Sequence, residues 1–103
     1  MNYKDISGEE VKKLQQEQPD AIVLDVRTPM EVSQGKIPGA LVIDLMDSQF
    51  TQKVEALDKD KPYVVYCRSG NRSVQACNYM AGEGFAKLYN LNGGIGNWPY
   101  ETE

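Results

Sequence analysis

The sequence contains no histidine and only two cysteines, Cys67 and Cys77. A structural zinc site of Cys and His ligands therefore cannot be assembled within one chain. A Cys–His dyad and a Ser–His–Asp triad are excluded as well. No apolar run approaches the roughly 18 residues of a membrane span. The start, Met1-Asn2-Tyr3-Lys4-Asp5, lacks the apolar core of a secretory signal, so the expectation is a cytoplasmic protein with no membrane partner. Net charge is −4 with no long basic run, which argues against nucleic acid as a partner. Neither a metal nor a cofactor is expected.

What is present is an ordinary globular balance, 41% apolar and 25% charged over 103 residues. That length suits a single domain, 1–103, burying one core without disulfide or metal support. At this size a monomer is the expectation.

Along the chain, short apolar runs alternate with amphipathic ones. Tyr3–Ile6 reads as a short edge strand. Ser7 and Glu10 have capping-box spacing, opening a helix that turns Val11 and Leu14 inward and fades before Pro19. Ala21–Val26 is nearly all apolar, as in a strand buried on both faces of a parallel sheet. Thr28-Pro29-Met30-Glu31 repeats the capping signal for a short helix that Gly35 and Pro38-Gly39 end. Ala40–Asp44 reads as a third strand. Asp47 or Ser48 is placed to cap a helix carrying Phe50, Val54 and Leu57 on one face. Lys87–Leu91 reads as a last strand, followed by a glycine-rich turn, 92–98, around Trp98. Strands alternating with helices give an α/β fold with a mainly parallel, five-stranded sheet sandwiched between helices.

The stretch from Val64 to Ser73 carries the chemistry. Val64-Val65-Tyr66-Cys67 reads as a strand ending in a thiol, Gly70 as a tight turn, and Val74–Ala81 as a helix. Ligands in such sheets bind at the carboxyl ends of strands, where both Cys67 and Asp25 fall. Backbone N–H groups of a tight loop, with the partial positive charge of a helix N-terminus, favour an anion there. Arg68 and Arg72 add two cations. The first anion such a cradle can hold is the Cys67 sulfur itself.

Cys67-Arg68-Ser69-Gly70-Asn71-Arg72-Ser73 resembles the C-R-x-G-x-R-S active-site loop of rhodanese-like sulfurtransferases. Asp25-Val26-Arg27, Glu31 and Gly35-Lys36-Ile37-Pro38-Gly39-Ala40 resemble that family's D-V-R…E…G-H-I-P-G-A signature. Leu91-Asn92-Gly93-Gly94 with Trp98 resembles its closing L-x-G-G…W. Lys36 stands where the family usually has histidine, and Val32 where an aromatic is common. The resemblance implies a rhodanese-like fold and a thiosulfate sulfurtransferase type of enzyme. Cys67 would be the catalytic nucleophile, attacking a small-molecule sulfur donor such as thiosulfate to form a persulfide. The sulfur would then pass to cyanide, a thiol or an acceptor protein. Arg68, Ser69, Gly70, Asn71, Arg72 and Ser73 would form the substrate-binding loop, with Asp25, Arg27 and Glu31 supporting it from behind.

A free cysteine titrates near 8.5, so about 3% is thiolate at pH 7. Lowering the pKa to about 6.5 needs roughly 2.7 kcal/mol of differential stabilisation. A helix terminus supplies about 0.3–2 kcal/mol, and each hydrogen bond to a charged sulfur roughly 1.5–3 before desolvation. No histidine base is required. Other readings remain open at single residues. Cys67 also reads as an inert buried thiol, and Arg68 as a solvated loop charge. Arg72 is expected to order the loop through Asp25 or Glu31, and Arg27 to pair with Glu31. Cys77 is assigned to the core, because helical rise carries it too far along the axis to bridge Cys67. Trp98 is read as packing first and pocket wall second, and Lys36 as a surface lysine.

Two other functions compete. One is a persulfide carrier or relay module with little thiosulfate activity. The other is a rhodanese-fold phosphatase or arsenate reductase, whose loop in that family runs C-x5-R. The spacing here is C-x4-R, a smaller ring suited to one added sulfur rather than a tetrahedral phosphate.

Overall fold

The computed structural model describes residues 2–103. In chain order its strands are β1 Lys4–Ile6, β2 Ile22–Asp25, β3 Leu41–Val42, β4 Tyr63–Tyr66 and β5 Leu88–Leu91. The helices are α1 Gly8–Glu17, α2 Pro29–Ser33, α3 Phe50–Glu55 and α4 Asn71–Gly82, with a 3₁₀ turn at Gly94–Asn97. The sheet order is β1-β5-β4-β2-β3 and every neighbouring pair is parallel.

β4 lies at the centre and its four residues are fully buried. Alternation splits its side chains between two cores. Tyr63, Val65 and Cys67 pack with Phe50 and Val54 of α3 and with Ala76, Cys77 and Met80 of α4. Val64 and Tyr66 pack on the other face with Val11 and Leu14 of α1, Ile37 and Trp98. Each fully buried Val or Leu contributes about 1.5–3 kcal/mol, so β4 anchors the domain. From β2 the chain leads outward to β3, and from β4 it leads the other way to β5. The β2–β4 boundary is thus a switch point, and the crevice beyond its carboxyl ends is the natural place for a ligand.

The α1 and α2 starts form as expected. Ser7 Oγ accepts from Glu10 N at 3.1 Å while Glu10 Oε1 accepts from Ser7 N at 2.9 Å. Thr28 and Glu31 build the same box, with Pro29 inside the first turn.

Other boundaries differ. The third strand shrinks from 40–44 to Leu41–Val42, both exposed, with Ala40 and Ile43 buried on either side. Beyond it, Ile43 N and Leu45 N still donate to Asp25 O and Val26 O at 2.9 and 3.1 Å, following β2 as irregular chain. Neither Asp47 nor Ser48 caps α3; its N-cap is Gln49, without a side-chain bond. Asp47 forms a turn of its own instead, accepting from Gln49 N at 2.8 Å and from Lys53 Nζ at 2.6 Å. Leu57 falls beyond the end of α3 yet still packs against the core. The loop helix starts at Asn71, three residues earlier than its apolar face suggests, so polar Asn71, Arg72 and Ser73 make its first turn.

Candidate active site

Cys67 is the first residue after β4, and its thiol is met by the turn that follows. Gly70 is the N-cap of α4 at φ +112, a conformation that L side chains rarely adopt. That turn directs Gly70 N at Sγ, 3.1 Å away. Ser73 N, an unpaired donor of the helix's first turn, points to Sγ at 3.4 Å. Sγ also lies 3.4 Å from Ser73 Oγ. Burial raises the thiol pKa, but hydrogen bonds to the ionised sulfur from the Ser73 hydroxyl and from the Ser73, Gly70 and Ser69 amides outweigh it, so Cys67 titrates below its usual value. The loop is held from its other side by the 3₁₀ turn, where Ile95 N donates to Cys67 O at 2.9 Å. Gly94, at φ +68, leaves no room for a Cβ against the Arg68 and Cys67 carbonyls.

The arginines divide differently from the sequence expectation. Arg72 forks onto Glu31, with Nη1–Oε1 at 2.6 Å and Nη2–Oε2 at 2.8 Å. This bond lowers the Glu31 pKa to about 2. Of the two carboxylates open to Arg72, the structure selects Glu31. The expected Arg27–Glu31 pair does not form. Arg27 instead binds Asp25 through Nε and Nη2, at 3.0 and 2.8 Å, and donates to Gly35 O at 2.7 Å. Only Val26 separates Asp25 from Arg27, and both are buried, so this short path wins. Tyr66 completes that cluster, its hydroxyl donating to Asp25 Oδ2 at 2.7 Å and accepting from Ile37 N at 3.1 Å. Arg68 and Ser69 are exposed, as is Asn71. With Arg72 neutralised by Glu31, backbone amides rather than a pair of free guanidinium groups hold the sulfur.

A cavity of about 280 Å³ opens beside the loop, lined by Arg27, Glu31, Gln34, Gly35, Arg68, Ile95 and Thr102. Cys67 is 1% exposed and lies outside that lining, while its neighbour Arg68 forms part of it. Lys36, expected as a surface lysine, is partly exposed and tied down. Its Nζ binds Ala40 O at 3.2 Å and Glu103 Oε2 at 3.4 Å, and its backbone pairs with that of Glu103. Trp98 packs in the core, its indole N–H donating to Glu101 O at 3.0 Å, and it does not line the cavity. Cys77 is fully buried, and burial pushes its thiol up to about 12. Both cysteines are free. Among the described residues no group of acidic and cysteine side chains is placed to hold a metal ion.

Two residues of this site escaped the sequence reading. Tyr66 and Asn90, whose Oδ1 accepts from Ser73 Oγ at 2.6 Å, read from the sequence only as parts of strands, although an amide inside Leu88-Tyr89-Asn90-Leu91 is a visible irregularity.

The model of the rhodanese-like domain matches residues 7–100. The chain belongs to the rhodanese-like domain family. The protein named "Putative sulfurtransferase YtwF" of Bacillus subtilis (strain 168) is 41% identical over 103 residues, covering 100% of this chain and 97% of that protein. The thiosulfate sulfurtransferase GlpE of Pseudomonas syringae pv. syringae (strain B728a) is 33% identical over 104 residues, covering 97% of this chain and 94% of that one. A rhodanese-related protein from Thermoplasma volcanium superposes with a TM-score of 0.85 at 30% identity, covering 98% of each chain. This rhodanese-like domain therefore stands in a sulfurtransferase family, on the parallel five-stranded sheet expected from its alternating strands and helices. No helix among its described residues is long and apolar enough to cross a membrane.

Proposed function

We propose that the protein transfers sulfane sulfur from thiosulfate or a similar donor to cyanide, a thiol or an acceptor protein through a persulfide on Cys67. The observation that supports this most is the convergence of Gly70 N and Ser73 N on Sγ, which favours a thiolate without any histidine. In the first half-reaction the thiolate attacks the outer sulfur of thiosulfate. The S–S bond of the donor breaks, sulfite leaves with the electron pair, and Cys67 becomes an anionic persulfide. In the second, cyanide or a thiolate attacks the terminal sulfur, and the Cys67 thiolate returns as leaving group. Charge is conserved in each step, and the same amides face an anion throughout. Arg68, exposed at the cavity edge, is available to attract an anionic donor.

The test is intact mass after incubation with thiosulfate. The expected result is a gain of one sulfur that a reducing agent removes, absent in Cys67→Ser and retained in Cys77→Ser. Turnover of para-nitrophenyl phosphate without thiosulfate:cyanide activity in the same sample would replace this reading with the phosphatase one. A protein that takes up sulfur only from a partner's persulfide, and not from thiosulfate, would be the relay module.

A further inference from the structure

Behind the nucleophile a chain of side chains runs from the buried Ser73 and Asn90 out to the exposed Asp5, and the sulfur-transfer steps above do not use it. Ser73 Oγ lies 3.4 Å from Cys67 Sγ, 2.6 Å from Asn90 Oδ1 and 3.0 Å from Gly70 O. Asn90, on β5, is 3% exposed, and its Nδ2 donates to Asp5 Oδ1 on the edge strand β1 at 2.9 Å. A carboxylate only accepts, so Asp5 fixes the amide with its NH₂ outward and its oxygen toward Ser73. Ser73 has a single hydroxyl proton. At 2.6 Å the Asn90 oxygen is its nearest acceptor.

We propose that Asn90 is a positioning residue for Cys67: held by Asp5, it claims the Ser73 hydroxyl proton and leaves that hydroxyl an acceptor toward sulfur. In this state the neutral thiol donates S–H to Ser73 Oγ, and every group in the chain is satisfied. Once the thiol ionises, the hydroxyl can serve the sulfur only by turning away from Asn90, leaving a buried amide oxygen unpaired. Asn90 thus opposes the amides of Gly70 and Ser73 and restrains the nucleophile in its resting form. This rests on the reading of Cys67 as the reactive thiol, not on the identity of the donor.

The charged and titratable groups around the sulfur come from several elements. Arg68 stands in the loop and Arg72 at the start of α4, where Glu31 of α2 pairs with it. Asp44, after β3, acts on Arg72 through space, Cys77 lies further along α4, and Asp5 closes the far end of the chain. Of these, only Asp5 reaches Cys67 by way of Ser73.

The pH dependence of Cys67 alkylation by iodoacetamide, read on the full chain by mass spectrometry, tests the proposal with no sulfur donor present. Asn90→Ala is expected to lower the midpoint by about one pKa unit, a roughly tenfold larger thiolate fraction below both midpoints. Asp5→Ala, at an exposed position, should shift it the same way by less, because the amide is then free to turn over. In a Ser73→Ala background neither change should move the midpoint. A through-space effect of the Asp5 charge would survive there, and its survival overturns the proposal. So does an unchanged or raised midpoint in folded Asn90→Ala, or in Asp5→Ala should the buried variant fail to fold. Shifted midpoints without persulfide formation would refute sulfur transfer alone, and normal persulfide formation with unshifted midpoints would refute only the role of Asn90.

Discussion

Gly70 has two duties that one substitution separates. Its φ of +112 turns the chain into α4, and its N–H donates to Sγ at 3.1 Å. A Cβ there would meet only Gly93 N, at 3.9 Å, so Gly70→Ala brings conformational strain rather than a clash. Holding alanine in the left-handed region costs roughly 1–2 kcal/mol. Thermal unfolding is then expected about 4–16 °C lower, at about 4–8 °C per kcal/mol for a chain of this size. The relaxed turn swings its N–H off the sulfur, so the alkylation midpoint of Cys67 should rise. A loss of stability with the midpoint unmoved would leave Gly70 as a turn residue alone. Cys77 supplies the contrast. It is fully buried with no amide aimed at it, and its thiol is pushed up to about 12, so a second reactive sulfur is not expected near neutral pH.

Between elements, the clasp that matters is Arg72–Glu31, which ties the first turn of α4 to α2. The Glu31 pKa is depressed from 4.5 to about 2, chiefly by Arg72. Its contribution to stability is therefore full above about 4.5 and is lost as pH falls toward about 2. Both side chains are 26% exposed, so solvent screens the pair and its worth near neutrality is about 1 kcal/mol or less. Glu31→Gln should lower the urea midpoint slightly near pH 7, and the gap to the parent protein should close through that acid window. A gap that persists at the acid end would mean Glu31 acts through packing rather than charge. The sequence made Glu31 legible as the capping partner of Thr28, because that bond spans three residues. It left Arg72 open between Asp25 and Glu31, since Glu31 and Arg72 stand 41 positions apart and only the sheet order brings α2 beside α4. The same division runs through the fold. Capping boxes, the apolar β4 and the tight loop are local patterns and were readable. The shortened β3, the start of α4 and the Ser73–Asn90 contact depend on what lies across the sheet.

For the molecule as a whole, the Asp25–Arg27–Tyr66 cluster fastens β2, β4 and the Gly35–Ile37 chain at the switch point. It lies on the face of β4 opposite Cys67, since Tyr66 and Cys67 alternate between the two cores. Arg27→Leu would leave the fully buried Asp25 carboxylate without its counter-ion, a loss of about 3–5 kcal/mol. That is a large share of the roughly 5–15 kcal/mol that holds a domain of this kind together. Tyr66→Phe removes one donor to Asp25 and strands Ile37 N, costing about 1–3 kcal/mol. Both variants should therefore unfold at lower denaturant, with Arg27→Leu worse by a clear margin. In Tyr66→Phe the alkylation midpoint of Cys67 should stay where it is in the parent protein, because Gly70 N, Ser73 N and Ser73 Oγ approach the sulfur from the α4 side. A midpoint shifted by a unit or more would mean that the buried ion pair tunes the Cys67 thiol across the sheet, and that the two faces of β4 are not separable in the way their packing indicates.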